Sequence, residues 1–267
     1  MSRIGDVFQG GHKALAAYIT AGYPDINATP VIAKALAGSG ADIIELGIPF
    51  SDPLADGATI QKASYMALKN GTTPEMCLEA AAEIRRGIGT PLVFMTYYNP
   101  VLNYGLEKFC RDSAATGING LIVPDLPPEE GIELETTARK HGLDTIYMLA
   151  PTSTDERIRE AGKRSGGFIY LVSLTGVTGA RKELPAGLES FIKRARKYTG
   201  QALCVGFGIS TAAQAGRVAK AADGVIVGSR LIQLIEEDAT LRRLKKFIAD
   251  LRRALDAVKS KKEVTRT

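Results

Sequence analysis

Short apolar runs alternate with longer helical patterns along the whole chain, and no other pattern in the sequence restricts the fold as strongly. Each run is apolar over nearly its full length, which is typical of strands covered on both faces. Alternating strands and helices build a parallel sheet covered by helices. Eight strand–helix pairs without a Pro-, Gly- or Ser-rich linker predict an α/β fold, a closed (β/α)8 barrel, with an open doubly wound sheet as the alternative.

The pattern gives bounds for each element. The predicted strands are Leu15–Thr20, Asp42–Leu46, Leu92–Tyr97, Gly120–Val123, Thr145–Leu149, Phe168–Ser173, Ala202–Gly206 and Gly224–Val227. The predicted helices are Ala28–Ala37, Ala58–Lys69, Glu107–Thr116, Gly131–Lys140, Asp155–Lys163, Leu188–Tyr198, Thr211–Lys220 and Leu231–Val258. Two extra helices are expected, one at the N-terminus and one that Thr73 and Pro74 begin between strands two and three. Because 267 residues suit one barrel, 1–267 is expected to be a single domain.

Composition argues against several classes of protein. Much of the net charge of +5 lies in the last helix and tail, where no aromatic residues separate the basic ones, so a solvated helix face is favoured over a nucleic-acid site. The first eight residues contain an acid and no long apolar run, so neither a signal peptide nor a membrane anchor is expected. Cys77, Cys110 and Cys204 are widely spaced, which indicates a reducing compartment, and we expect a cytoplasmic protein.

Two carboxylates stand where a barrel of this kind places its chemistry, at the carboxyl end of a strand and on the following loop. Glu45 is expected to point into the barrel mouth, where desolvation raises the pKa of a carboxyl toward the range of a general acid or base. A salt bridge to a neighbouring strand is the alternative. Asp56 either aims a second carboxylate at the same cavity or caps the helix that begins near Ala58. Asp52 lies in a Ser-Asp-Pro turn that needs no functional explanation.

Glycine-rich sequences follow strands six, seven and eight, at 175–179, 206–210 and 224–229. Glycine lets backbone N–H groups approach an anion closely, and a helix N-terminus adds favourable partial charge. The loops after strands seven and eight are the usual phosphate site of this barrel. The sequence therefore predicts that the substrate carries a phosphate.

The positions of histidine and lysine argue against two classes of reaction mechanism. The only histidines are His12 and His141, before strand one and at the end of helix four, so no metal site is expected. Strands two to eight contain no lysine that could form a Schiff base. Proton transfer by carboxylates remains, with Tyr170 and Tyr18 as candidates to assist it, although core packing is the favoured role for either aromatic alone.

The segment Glu45–Gly57, Glu-Leu-Gly-Ile-Pro-Phe-Ser-Asp-Pro-Leu-Ala-Asp-Gly, resembles the signature of the tryptophan synthase alpha chain family. The likeness continues, in order along nearly the whole chain, through 18–24, 123–130, 176–179, 206–210 and 228–229. It implies a barrel that cleaves indole-3-glycerol phosphate to indole and glyceraldehyde 3-phosphate. This retro-aldol step of tryptophan biosynthesis would need neither metal nor cofactor in this chain.

The resemblance also implies roles for single residues. Glu45 would act as acid and then as base, Asp56 would accept a hydrogen bond from the indole N–H, and Tyr170 matches the family's active-site tyrosine. The substrate phosphate would rest on Gly179, Gly208, Gly228 and Ser229. The remaining pocket residues would be Tyr18, Thr178 and Phe207.

A partner is implied as well, the pyridoxal-phosphate-dependent beta chain, in an alpha2beta2 complex. It would contact Pro49, Phe50 and Asp52 on the loop after strand two, and the segment Tyr98–Gly105, which includes Asn99 and Pro100. The loop Leu174–Leu188 would close over the site. Leu174 departs from family members that carry arginine or another polar residue there.

Two other functions stay open at this point. One is a free-standing lyase that releases indole without a partner. The other is a catalytically silent barrel that only binds and activates a beta chain. Two converging carboxylates beside an anion site argue against the silent barrel, since a scaffold has no physical need for them.

Overall fold

A computed structural model describes residues 2–172, 187–206 and 208–258. Within these residues, nine strands form one sheet in which all pairings are parallel, in the order β5-β4-β3-β2-β1-β9-β8-β7-β6. The strands are β1 Ala14–Thr20, β2 Ile43–Gly47, β3 Leu92–Met95, β4 Gly120–Ile122, β5 Asp144–Ile146, β6 Met148–Leu149, β7 Phe168–Val172, β8 Ala202–Gly206 and β9 Gly224–Val227. The closed barrel is confirmed, and the open sheet is not found.

The two ends of this strand order are consecutive pieces of one predicted strand, Thr145–Leu149, which the structure interrupts at Tyr147. The Tyr147 carbonyl accepts from the Tyr170 amide at 3.0 Å, while its own N–H donates to Ser165 Oγ at 3.0 Å. Its hydroxyl lies 3.3 Å from Glu135 Oε2 and 3.2 Å from Arg164 Nη2. The barrel therefore closes through a residue whose side chain is bound by the outer helices.

Helices surround the sheet in the described ranges. They are α1 Arg3–Asp6, α2 Ala28–Gly38, α3 Ala58–Lys69, α4 Pro74–Gly87, α5 Tyr98–Tyr104, α6 Leu106–Ala115, α7 Ile132–Lys140, α8 Asp155–Arg164, α9 Leu188–Tyr198, α10 Ala212–Ala219, α11 Ser229–Glu237 and α12 Arg242–Asp256, with a short 3-10 turn at Gln9–Gly11. Helices α1 and α4 are the two extra helices that the sequence predicts. The predicted start of α4 is confirmed, because Thr73 Oγ1 accepts from the Met76 amide at 3.4 Å.

One predicted helix, Leu231–Val258, is wrong, because the chain turns between α11 and α12. The Asp238 carboxylate accepts from the backbone amides of Thr240 and Arg243, both at 2.9 Å. Leu241 then takes a left-handed conformation, with φ of 58°. An aspartate that binds the following amides offers the backbone an alternative to the helix, and this ends α11.

Apolar packing divides into two parts. Most buried side chains lie between the strands and the outer helices. A smaller cluster fills the barrel interior: Ile4, Ala16, Ile43, Val93, Ile122, Ile146, Phe168, Cys204 and Ile226. Both parts exclude water, and each fully buried Ile or Phe contributes about 1.5–3 kcal/mol relative to an exposed one.

Ile4 of α1 closes the lower end of the barrel, where the strands begin. A Cβ atom at Gly120 would lie 2.8 Å from Ile4 Cδ1, and one at Gly167 would lie 2.5 Å from Ile4 Cγ2. Both glycines stand at the start of a strand, β4 and β7, so they make room for this side chain. Substrate therefore has to enter from the opposite end, where the strands finish.

The single-domain organisation of 1–267 stays a prediction. Of the helices in the described ranges, none combines the length and the apolar character that crossing a membrane requires.

Candidate active site

Glu45 lies in the middle of β2, opposite Tyr18 of β1 and Val93 of β3. Its side chain is fully buried, and both carboxyl oxygens are without a hydrogen-bond partner among the described residues. The salt bridge that sequence left open is thus not found there. Burial raises the pKa of this carboxyl from 4.5 to about 8, because the charged form loses its hydration. At neutral pH Glu45 therefore holds a proton that it can donate.

Asp56 lies on the loop between β2 and α3 and is almost fully buried. The residue at the cap position of α3 is Gly57, and the helix has no side-chain capping bond. Asp56 therefore does not cap this helix. The Asp56 amide donates to the Pro53 carbonyl at 3.0 Å, and its carbonyl accepts from Gln61 Nε2 at 2.9 Å. Burial raises the pKa of its carboxyl from 3.8 to about 6, while a hydrogen bond from Tyr97 acts in the opposite direction.

Two tyrosines, Tyr18 and Tyr170, lie near both carboxyls. Tyr18 is buried and Tyr170 half-buried, and loss of hydration is the main reason why the pKa of each phenol lies well above 10.0. Both Glu45 and Asp56 raise these pKa values further, because an ionised carboxylate disfavours a nearby phenolate. The two acids are therefore close enough to the same two rings to affect the pKa of both phenols.

Glycines make space for these rings. A Cβ atom at Gly47 would lie 2.1 Å from the Tyr18 hydroxyl oxygen, and one at Gly206 would lie 2.5 Å from the Tyr170 hydroxyl oxygen. Any larger residue would displace the phenol. Glycine therefore ends both β2 and β8, since the rings of Tyr18 and Tyr170 occupy the space that a larger side chain would need.

The described part of the predicted phosphate site lies at the ends of the adjacent strands β8 and β9. Gly208 has φ of 61°, a left-handed conformation that favours glycine. Gly228 precedes α11, and buried Ser229 is the first residue of that helix. The first amides of a helix lack intrahelical acceptors and point toward its N-terminus, where they favour an anion. Gly228 also contacts the pocket, since a Cβ there would lie 3.2 Å from Tyr18 Cδ1.

Several predicted residues lie outside the described ranges: Gly179, Thr178, Phe207 and Leu174. Of the predicted closing loop, Leu174–Leu188, the structure describes Gly187, which precedes α9, and Leu188, which begins it.

The residues predicted to meet a partner occupy neighbouring segments at the open end of the barrel. Pro49 is buried and Phe50 half-buried, whereas Asp52 is exposed. Asn99 and Pro100 lie on α5, which was not predicted as a helix; Asn99 is exposed and Pro100 half-buried. Two exposed leucines extend this surface, Leu54 on the loop and Leu102 on α5, with 93% and 50% of their area exposed.

Sequence reasoning missed Tyr97, which it placed at the end of a strand without a role. Its ring is buried, and its hydroxyl oxygen accepts from the Ala55 amide at 2.9 Å. The same hydroxyl lies close to the Asp56 carboxylate, where it lowers the pKa of that carboxyl. The available signal was its position, because a polar group at the carboxyl end of a barrel strand lies at the site.

Comparison with known proteins identifies the family. A family model described as the tryptophan synthase alpha chain matches residues 6–262. The chain belongs to the tryptophan synthase alpha chain family. An alpha chain from Dehalococcoides mccartyi is 58% identical over 256 residues, which cover 96% of this chain and 100% of that one.

Solved structures of this family have the same fold. A structure of tryptophan synthase from Mycobacterium tuberculosis has a TM-score of 0.89 and 41% identity, covering 95% of this chain and 98% of that one. An alpha subunit from Legionella pneumophila has a TM-score of 0.88 and 36% identity, with 96% and 99% covered.

Proposed function

We propose that Glu45 and Asp56 carry out the reaction of the alpha chain family. The chain is a carbon–carbon lyase of tryptophan biosynthesis that cleaves indole-3-glycerol phosphate to indole and glyceraldehyde 3-phosphate. The observation that carries the assignment of roles is the buried, unpaired carboxyl of Glu45, whose pKa of about 8 keeps it protonated at neutral pH. Leaving a carboxyl without partners is costly for folding, and such groups concentrate at active sites.

The reaction begins when Glu45 donates its proton to carbon 3 of the indole ring, which leaves positive charge on the ring nitrogen. Asp56, whose pKa of about 6 leaves it largely ionised at neutral pH, accepts a hydrogen bond from the ring N–H and stabilises that charge. The Glu45 carboxylate then takes the proton of the neighbouring side-chain hydroxyl. The carbonyl of the aldehyde forms, the bond to carbon 3 breaks, and its electrons return to the ring. Glu45 is protonated again, and no other reactant is consumed.

The rest of the pocket orients the substrate. Gly208, Gly228 and Ser229, with Gly179, hold the phosphate through backbone amides. Tyr18 and Tyr170, with Thr178 and Phe207, surround the indole and its side chain.

The chain works without its own cofactor, inside an alpha2beta2 complex in the cytoplasm, and pyridoxal phosphate belongs to the beta chain. Pro49, Phe50, Asp52, Asn99 and Pro100 contact that beta chain. Their position beside the mouth of the barrel supports this, since a partner there would cover the opening through which indole leaves.

Indole release from indole-3-glycerol phosphate by the purified chain, with and without a beta chain, tests the proposal. We expect slow release by the chain alone and faster release with the partner. Fast release that the partner does not change would instead identify a free-standing lyase. Activation of the beta chain without any cleavage would identify a silent barrel, and no release under either condition would end the proposal.

A further inference from the structure

Tyr97 makes three contacts with the loop that carries Asp56. Its hydroxyl oxygen accepts from the Ala55 amide at 2.9 Å, and the hydroxyl also lies close to the carboxylate of Asp56, whose pKa it lowers. Its ring packs against that of Phe50, with 5.2 Å between the ring centres and 31° between the planes. One side chain from the end of β3 therefore binds both ends of the segment 50–56.

The direction of these hydrogen bonds is fixed by chemistry. A phenol has one proton to donate, and an amide N–H can only donate. Because the Ala55 amide already uses the oxygen as an acceptor, the Tyr97 proton remains available to the nearby Asp56 carboxylate. A bond of this kind stabilises the ionised carboxylate and opposes the effect of burial on its pKa.

Most of the loop before Asp56 is exposed, whereas the side chain of Tyr97 is buried. Ser51, Asp52, Leu54 and Ala55 are all exposed. Tyr97 directly precedes α5, and the first amide of that helix donates to the Asp125 carboxylate at 3.0 and 3.2 Å. The rigid end of β3 therefore supports a loop that has few buried side chains of its own.

We propose that Tyr97 is a positioning residue of the active site, whose hydroxyl orients the Asp56 carboxylate toward the substrate and keeps it a hydrogen-bond acceptor. This inference rests on the proposed role of Asp56 in cleavage. It assigns to Tyr97 no contact with the reacting atoms.

The test is Tyr97→Phe, which removes the hydroxyl and keeps the ring against Phe50. A hydrogen bond to a charged group is worth enough to change kcat for indole release about tenfold to hundredfold. The limb of the pH–rate profile that reports Asp56 should also move to higher pH, because its ionised form loses a donor. Tyr198→Phe is the matched control, since that hydroxyl also donates to a carboxylate, Asp155 Oδ2, at 2.6 Å.

A double-mutant cycle with Asp56→Asn separates this inference from the proposed function. If Tyr97 acts through Asp56, Tyr97→Phe has little further effect on kcat once Asp56 is Asn. Equal fold losses in both backgrounds, or a pH limb that does not move, would overturn the positioning role and leave the proposed function standing. Full activity of Asp56→Asn alone would instead refute the role of Asp56 and, with it, this inference.

Should Tyr97→Phe fail to fold, 3-fluorotyrosine at position 97 gives the same test with the opposite sign. Its hydroxyl is a stronger acid and hence a stronger donor, so the Asp56 limb should move to lower pH. An unchanged limb would contradict the proposal.

Discussion

Two neighbouring carboxylates, Asp42 just before β2 and Glu45 in its middle, have opposite environments. At the lower end of β2, Asp42 Oδ2 accepts from the Leu15 amide at 2.8 Å and from Arg252 at 2.7 Å, and Asp42 Oδ1 lies 2.9 Å from His12 Nε2. Three residues later, Glu45 is fully buried without such partners. A satisfied carboxylate joins parts of the fold, whereas an unsatisfied one costs stability and stays available for proton transfer. Hydrogen bonding, more than residue type, separates structural from chemical acids here.

Glu45→Gln should have the largest effect. It removes the group that gives and takes the proton, so kcat for indole release should fall by about 10⁴-fold, the upper end for general acid–base catalysis. Binding of a beta chain should persist, because Glu45 lies inside the barrel. The measurement is indole release together with a binding assay, and unchanged cleavage would refute the role of Glu45.

The stability of the fold should depend on pH through the same residue. Between pH 4.5 and about 8 the folded chain keeps a proton on Glu45 that the unfolded chain releases. The cost of burying an ionised Glu45 is therefore absent below pH 4.5, and it destabilises the folded state increasingly as pH rises to about 8, by on the order of 5 kcal/mol. Denaturant unfolding at several pH values should show this slope in the wild type and a much smaller one in Glu45→Gln.

The exposed residue Glu79 provides the control for that slope. Glu79→Gln should keep the pH dependence of the wild type. If Glu45→Gln also keeps it, then Glu45 is not the buried proton carrier that its environment indicates.

Asp42→Asn should show the converse pattern. Loss of the charge weakens the bonds to Arg252 and Leu15, so the free energy of unfolding should fall by about 1–3 kcal/mol. Because Asp42 is at the closed end of the barrel, kcat should stay within about twofold of the wild type. A loss of kcat comparable with that of Glu45→Gln would show that Asp42 and Glu45 do not have separate structural and catalytic roles.

Gly206→Ala tests the aromatic wall at the open end, with the smallest expected change. The new Cβ would meet the Tyr170 hydroxyl at 2.5 Å and shift the phenol, which should cost about 1 kcal/mol of stability. The KM for indole-3-glycerol phosphate should rise, while Gly200→Ala, where a Cβ has no neighbour within 4 Å, serves as control. An unchanged KM would show that the position of Tyr170 does not shape the pocket.

Long apolar patterns made much of the barrel predictable. The helix Ala58–Lys69 and the strands Ala202–Gly206 and Gly224–Val227 have the predicted bounds. Local pattern suffices for these elements because each buries a continuous apolar face. The same reasoning predicted that Glu45 and Asp56 lie at one end of the barrel, since the fold determines where the ends of the strands meet.

What escaped prediction depends on contacts between distant residues. The amide of Tyr147, at the break in its strand, donates to the Ser165 side chain, and Glu135 and Arg164 bind its hydroxyl from neighbouring helices. The role of Tyr97 depends on the amide of Ala55, which lies 42 residues earlier. The turn at Asp238 had a local signal, but helical periodicity on both sides obscured it.

The fit of Ile4 under the barrel has a consequence for assembly. Its socket is formed beside Gly120 and Gly167, which are synthesised long after it. Ile4 cannot reach its native position until both distant glycines have been synthesised and their strands have joined the sheet. Helix α1 is therefore among the last parts of the barrel to pack, and the lower end of the barrel is closed only when Ile4 lies beside both glycines.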